Sequence, residues 1–256
     1  KQFHYDWHWQ WAYGNGDLGN QGVHQMDIAR WFLGESEIAP TAWSIGGRLG
    51  YEDDGETPNT QIVYQAYKTA PLIFEVRGLP SSKDEDKKMD SFMGAEIGCV
   101  IHCEGGYVVV PSYTEAIAYD KSGKELKRWK SSDDHFENFL KAVKSRKRED
   151  LNAEVLEGHI SAAICHTGNI SYRLGEKKGV DDIKRAIESQ TGAGETLDRM
   201  VKHLEANGVD LKATPLTLGP ALQFDPKTEK VVGNEAAAKL MTREYRAPFV
   251  VPNIAA

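Results

Sequence analysis

Gly14-Asn-Gly-Asp-Leu-Gly-Asn-Gln-Gly-Val-His-Gln-Met-Asp-Ile-Ala-Arg-Trp31 admits two readings, and each implies a different fold. Gly14, Gly16 and Gly19 spell G-x-G-x-x-G, in which glycines let a backbone loop approach a pyrophosphate at a helix N-terminus. Read that way, the segment opens a parallel, doubly wound α/β domain. Such a loop follows a buried apolar strand, whereas here Tyr5-Asp-Trp-His-Trp-Gln-Trp-Ala-Tyr13 precedes it, and no alternation of strands and helices follows. The second reading takes residues 21–33 as a helix of about three turns. Val23, Met26, Ile28, Ala29 and Trp31-Phe32 fall near helical spacing, and Gly34 stops the run. On that helix His24 lies four residues after Asn20 and three before Asp27, so the three side chains project from one side.

Downstream of Pro40 the pattern changes to short runs rich in Val, Ile and Tyr at 41–49, 60–67, 72–77, 98–102, 107–110, 116–119 and 125–129. Glu52-Asp-Asp-Gly55, Glu104-Gly-Gly106 and Lys121-Ser-Gly-Lys124 supply the turns between them. No helix long enough for a parallel crossover separates these runs, so they predict one antiparallel meander. Helical spacing returns at 134–145, 153–174 and 195–207, with Asp150 or Asn152 as the cap of the second. The tail, 213–256, reads as extended wrapping segments around a short helix at 234–240. The fold class expected is therefore α+β: a large open, mainly antiparallel sheet, helices packed on one face, and an extended C-terminal tail. Residues 1–256 form one domain in this reading, divided at 1–34, 40–130, 134–212 and 213–256.

Composition narrows the partners. The net charge of −7 across 256 residues argues against a nucleic-acid or membrane-surface binder and leaves small neutral ligands. Cys99, Cys103 and Cys165 are odd in number and lack metal-site spacing, which predicts buried free thiols. No apolar run reaches the roughly 18 residues that span a bilayer, and no signal peptide opens the chain; Lys1-Gln-Phe-His4 reads as an interior start.

The candidate chemistry is that of a sugar site. An imidazole titrates near neutrality and can take the proton of a hydroxyl whose carbon is being oxidised, the role open to His24. Asp27 and Asn20 would orient it or hold a substrate hydroxyl. Alternatively His24 only bonds a neighbouring loop. Phe3, Tyr5, Trp7, Trp9, Trp11 and Tyr13 alternate with polar residues in what reads as an extended segment; this makes either a sugar-binding face, with Tyr5, Trp7, His8, Trp9, Trp11, Asp17 and Gln21 as its ligands, or a half-buried strand. His159 and His166, with Cys165, Asn169 and Arg173 nearby, face either a cleft or the core. A metal held by His4 and His8 is disfavoured, because i, i+4 spacing makes a common ligand face only on a helix.

Tyr5-Asp-Trp-His-Trp9, the 14–31 block, Asp150-Leu-Asn-Ala153, Gly158-His-Ile-Ser161, Asn169-Ile-Ser-Tyr-Arg-Leu-Gly175 and Arg243-Glu-Tyr-Arg-Ala-Pro248 occur in an order that resembles the C-terminal part of the Gfo/Idh/MocA family. That family comprises nicotinamide-dependent sugar and polyol oxidoreductases, and the likeness is to its bacterial branch with an extended C-terminal domain. The resemblance implies NAD or NADP on a Rossmann domain of the parent protein and no cofactor bound to this chain. It also implies a carbohydrate or polyol substrate and a homodimer or tetramer formed through the open sheet. The family's Asp-x-x-x-His pair maps onto Asn20 and His24, so this chain has asparagine where aspartate is frequent; the family's Glu-Lys-Pro lysine has no counterpart here. Two rival readings remain: a carbohydrate-binding or scaffold domain without catalysis, and a cofactor-independent keto-sugar lyase or hydrolase. The compartment, cytoplasmic or periplasmic, is not read from these residues.

Overall fold

A computed structural model describes residues 4–85 and 87–252, so Phe3 of the aromatic segment and the last residues of the tail lie outside the described residues. The opening aromatics do not form an extended strand. Asp6–Trp9 is a single 3-10 turn, closed by Gln10 N donating to the Trp7 carbonyl, with Trp7 and His8 stacked at 3.8 Å. Neighbouring rings that stack on one another favour this compact turn over a strand. After it come α1 (Gly16–Asn20) and α2 (Gly22–Leu33), the latter ended by Gly34 at φ 69°, the left-handed position that glycine adopts at low cost.

Strands β1 (Thr41–Gly47), β2 (Thr60–Gln65) and β3 (Leu72–Arg77) form an antiparallel meander. The next four, β4 (Cys99–Cys103), β5 (Gly106–Ser112), β6 (Glu115–Asp120) and β7 (Glu125–Lys130), make a separate antiparallel sheet. The predicted single meander is thus broken after β3. Gly78, Pro80 and the charged segment after them intervene, and Asn59 instead accepts the Gly78 amide at 2.7 Å.

Helices α3 (His135–Ser145) and α4 (Val155–Arg173) follow, joined by a 3-10 turn at Arg148–Asp150. The cap of α4 is Glu154, which accepts from Leu156 N at 2.8 Å, in place of the predicted Asp150 or Asn152. Asp150 is instead paired with Lys141 at 2.9 Å. Then come β8 (Glu176–Lys178), α5 (Val180–Ile187) and α6 (Ala193–Ala206). The tail does more than wrap: β9 (Leu216–Leu218), β10 (Leu222–Asp225) and β11 (Lys230–Val232) join the main sheet, β9 and β10 both pairing with β1. α7 (Glu235–Leu240), capped by Asn234, closes the described fold.

The α+β class and the large antiparallel sheet stand, in the order β11-β10-β1-β2-β3 with β8 and β9 attached beside β1. Its helices, however, cover both faces and not one. Every residue of β2 is buried, which a sheet with an open face does not allow. Ala42 and Val63 pack with Met26, Ile164 and Cys165 against α2 and α4. Trp43, Ile45, Ile62 and Tyr64 pack with Ile183, Leu197, Met200 and Leu204 of α5 and α6 on the other side. α5, unpredicted, supplies part of that second cover, so the face expected to bind a second subunit is occupied by the chain itself. Cys99 and Cys165 are buried as expected, but Cys103 is exposed. Among the described residues no helix is long and apolar enough to cross a membrane.

Candidate functional site

The glycines of the opening motif are used by the protein's own backbone. A Cβ on Gly14 would lie 2.4 Å from the His8 carbonyl oxygen, and one on Gly16, at φ +70°, would lie 2.8 Å from the Thr57 side chain. The space a pyrophosphate would need is filled by residues 8 and 57, so this loop does not fit a dinucleotide. What it does is fold the aromatic turn against 54–57: the Glu56 and Thr57 amides donate to the Trp9 carbonyl, and the Gln10 amide group donates to Asp54 O at 2.6 Å.

That arrangement brings Trp9, Asp17 and Gln21 together on the lining of a cleft of about 1680 Å³ that runs along β3. Burial raises the Asp17 pKa above the ordinary carboxylate value, opposed in part by a hydrogen bond from Trp9 and by the charges of Arg48 and His8. Arg48, which also lines the cleft, is held by Asp53 and donates to Thr57 O at 3.0 Å. Its guanidinium in turn keeps the Asp53 carboxyl below the usual range. On the α6 side of β3 the Glu75 carboxylate bridges Arg77 and Arg199. There the buried His203 places Nδ1 3.4 Å from Asp90 without hydrogen-bond geometry, and desolvation pushes its pKa down.

His24 is exposed on the first turn of α2 and does not line the cleft; Gln21, which caps that helix, and Gln25 within it do. Its ring meets Tyr113 edge-on at 5.7 Å. The Tyr113 hydroxyl accepts from the Gln21 amide at 2.7 Å and from Gln25 at 3.4 Å, so this residue of the β5–β6 turn ties the smaller sheet to the histidine-bearing helix. Nothing in the local sequence marks Tyr113, which lies 92 residues after Gln21 and meets it only through the tertiary fold.

Asp27 does not orient His24. Its carboxylate accepts from Ser161 Oγ at 2.5 Å and from Arg30 at 3.2 Å, and Arg30 also reaches Glu157 at 2.5 Å and Glu35 O at 2.7 Å. Because Arg30 is buried, this carboxylate serves to balance an interior charge between α2 and α4. Asn20 is exposed on α1. Tyr5, Trp7, His8 and Trp11 lie outside the cleft lining: Tyr5 is exposed, His8 is stacked on Trp7, and Trp11 lies 5.1 Å beneath the Arg173 guanidinium. His159 pairs with Glu229 at 2.6 Å and Asn169 bonds Asn15 O at 2.8 Å, so these two α4 residues act as struts, while His166 is exposed. Among the described residues no group of three His, Cys, Asp or Glu side chains is placed to hold a metal ion.

Residues 1–204 match the Gfo/Idh/MocA family model described as "Oxidoreductase family, C-terminal alpha/beta domain". The chain belongs to this family. Similar solved structures include an oxidoreductase from Thermotoga maritima (15% identity, 66% of this chain and 46% of that chain, TM-score 0.45). Another is the WlbA dehydrogenase from Bordetella pertussis in complex with NADH and UDP-GlcNAcA (15% identity, 68% of this chain and 49% of that one, TM-score 0.42). The chain spans less than half the length of each. No protein of curated function matches it.

Proposed function

We propose that this Gfo/Idh/MocA chain is the substrate-binding domain of an NAD(P)-dependent sugar or polyol oxidoreductase, with His24 as the acid/base at the hydroxyl being oxidised. The observation that supports it is the meeting of Trp9, Asp17 and Gln21 on the lining of a large cleft, on the turns and helices that lead into His24. Trp9 offers a ring to the C–H face of a sugar, and Asp17 and Gln21 offer acceptors and donors to its hydroxyls. The hydride acceptor, NAD or NADP, belongs to a dinucleotide-binding domain of the parent oxidoreductase, since the glycine loop here is filled by protein. With Asp27 engaged by Arg30 and Ser161, the acidic partner falls to Asp17, whose raised pKa suits a carboxyl that hands a proton to or from a bound hydroxyl.

In the parent oxidoreductase, a panel of sugars and polyols assayed by nicotinamide reduction should show turnover that His24→Asn lowers by at least about a hundredfold with little change in KM. Undiminished kcat in that variant would remove His24 from the chemistry. One observation favours a second reading, a sugar-binding domain without oxidation: Asn20 replaces the frequent aspartate, and Asp27 is bound elsewhere. Saturable sugar binding without turnover of any panel member would select it.

A further inference from the structure

Tyr113, at the tip of the β5–β6 hairpin, is held by its hydroxyl and not by its ring. The side chain is 64% exposed, so packing does not fix it. Its oxygen nevertheless accepts from Gln21 Nε2 at 2.7 Å and from Gln25 Nε2 at 3.4 Å. Gln21 Nε2 also donates to Gln25 Oε1 at 3.2 Å, which closes a ring of three hydrogen-bonding side chains. Gln25 is buried, and these two bonds satisfy an amide that would otherwise be costly to take out of water. The hairpin tip is braced in turn, with Ser131 N donating to Thr114 O at 3.0 Å. A phenol is both donor and acceptor. Here both bonds use the oxygen as acceptor, and among the described residues the O–H donates to none. The polar capacity left to Tyr113 is to donate outward, beside a His24 ring whose centre lies 5.7 Å from its own.

We infer that Tyr113 is a second catalytic residue, whose hydroxyl donates a hydrogen bond to the substrate oxygen that gives its proton to His24; the inference rests on the function proposed above. Two contacts join the tyrosine to that site. Its ring meets His24 edge-on, and its oxygen is bound by Gln21 and Gln25, both on the cleft lining. In the oxidation the substrate O–H proton passes to the imidazole, the C–H hydrogen leaves as hydride to the nicotinamide of NAD or NADP, and a C=O bond forms. Negative charge gathers on the oxygen as its proton departs, and a fixed donor aimed there stabilises it. Tyr113 keeps its own proton throughout. Its bond to the developing alkoxide is stronger than its bond to the neutral alcohol, so the hydroxyl lowers the barrier more than it tightens binding. Because the two amides already hold the phenol, little of its freedom remains to be lost in the transition state.

Tyr113→Phe removes the hydroxyl and keeps the ring against His24. In the parent oxidoreductase it should lower kcat at least about tenfold on the panel sugar that turns over best, with KM changed less than about threefold. A tyrosine that only ties the smaller sheet to α2 would shift the urea midpoint and leave kcat within about threefold, and that result overturns the inference. Binding gives a readout that needs no turnover. Keto-sugars and aldonolactones present a carbonyl oxygen to the same donor, so their calorimetric affinity for the parent oxidoreductase should be about tenfold weaker in Tyr113→Phe. Equal affinity in both proteins, or no saturable binding to the wild type, would also overturn it. If Tyr113→Phe loses turnover and His24→Asn does not, the donor stands and the imidazole's role falls. The reverse result leaves the function proposed above and removes Tyr113 from the chemistry.

Discussion

Asp27 leaves the role its position suggests, and Asp17 keeps its place in the cleft. Spacing groups Asp27 with His24 on one helix, but the carboxylate turns toward α4, where it balances the buried Arg30 beside Ser161. Asp27→Ala should lower stability by about 1–3 kcal/mol in urea titrations, since the guanidinium keeps Glu157 but loses one of its charged acceptors. Its kcat should change less than that of the His24 variant, and a larger effect on kcat than on stability would return Asp27 to the site. Asp17 carries the opposite signature. Its pKa is raised in the folded state, so the native protein holds the proton to higher pH than the unfolded chain does. Stability therefore falls as pH rises from the unfolded value near ~3.9 through the folded one, and the whole penalty is present above it. Asp17→Asn should stabilise the domain at neutral pH and leave it unchanged below about pH 3, measured as paired urea midpoints. A stability gain of equal size at both pH values would show that ionisation is not its source.

Elements were legible where they are driven by local pattern and illegible where a partner makes them. α2, α3 and the strands β1 to β7 fall close to their predicted bounds, because period-2 and period-3.6 apolar spacing and turn residues mark them directly. The aromatic segment folds as a 3-10 turn and not as the extended run its alternation predicts, since alternation along a chain does not reveal that neighbouring rings will stack on each other. β9 and β10 are short and exist by pairing with β1, more than 170 residues earlier, a contact no local window contains. Gly168 shows how close the elements pack once placed: a Cβ there would lie 2.6 Å from Val63 Cγ1, across the α4–β2 contact. Gly168→Ala should therefore cost about 1–3 kcal/mol despite its higher helix propensity, readable as a lower urea midpoint at unchanged m. A stabilised variant would mean that the contact yields.

For the whole molecule, the decisive arrangement is a main sheet covered on both faces and a second sheet carried beside it. Two cores form on either side of β2, so self-association through the main sheet would first have to displace α5 and α6. The smaller sheet reaches the histidine-bearing helix through Tyr113 and through Cys99, whose thiol donates to Gln25 O at 3.2 Å. The large cleft lies along β3, whose outer side has no strand partner in the main sheet. With residues 8 and 57 filling its glycine loop, this chain by itself should show no micromolar affinity for NAD or NADP in calorimetric titration. A micromolar Kd would contradict both the filled loop and the division of labour proposed for the parent oxidoreductase.

By itself the sequence determined the family, the α+β class, the His24 helix with its glycine stop and most of the strands, because each of these is encoded in short-range spacing and residue type. Only the tertiary structure decided that the glycines serve the protein's own backbone, that Asp27 belongs to Arg30, and that the tail and α5 complete and cover the main sheet. Those outcomes depend on which groups meet across tens to hundreds of residues, where burial and charge pairing choose among partners that local spacing leaves equivalent.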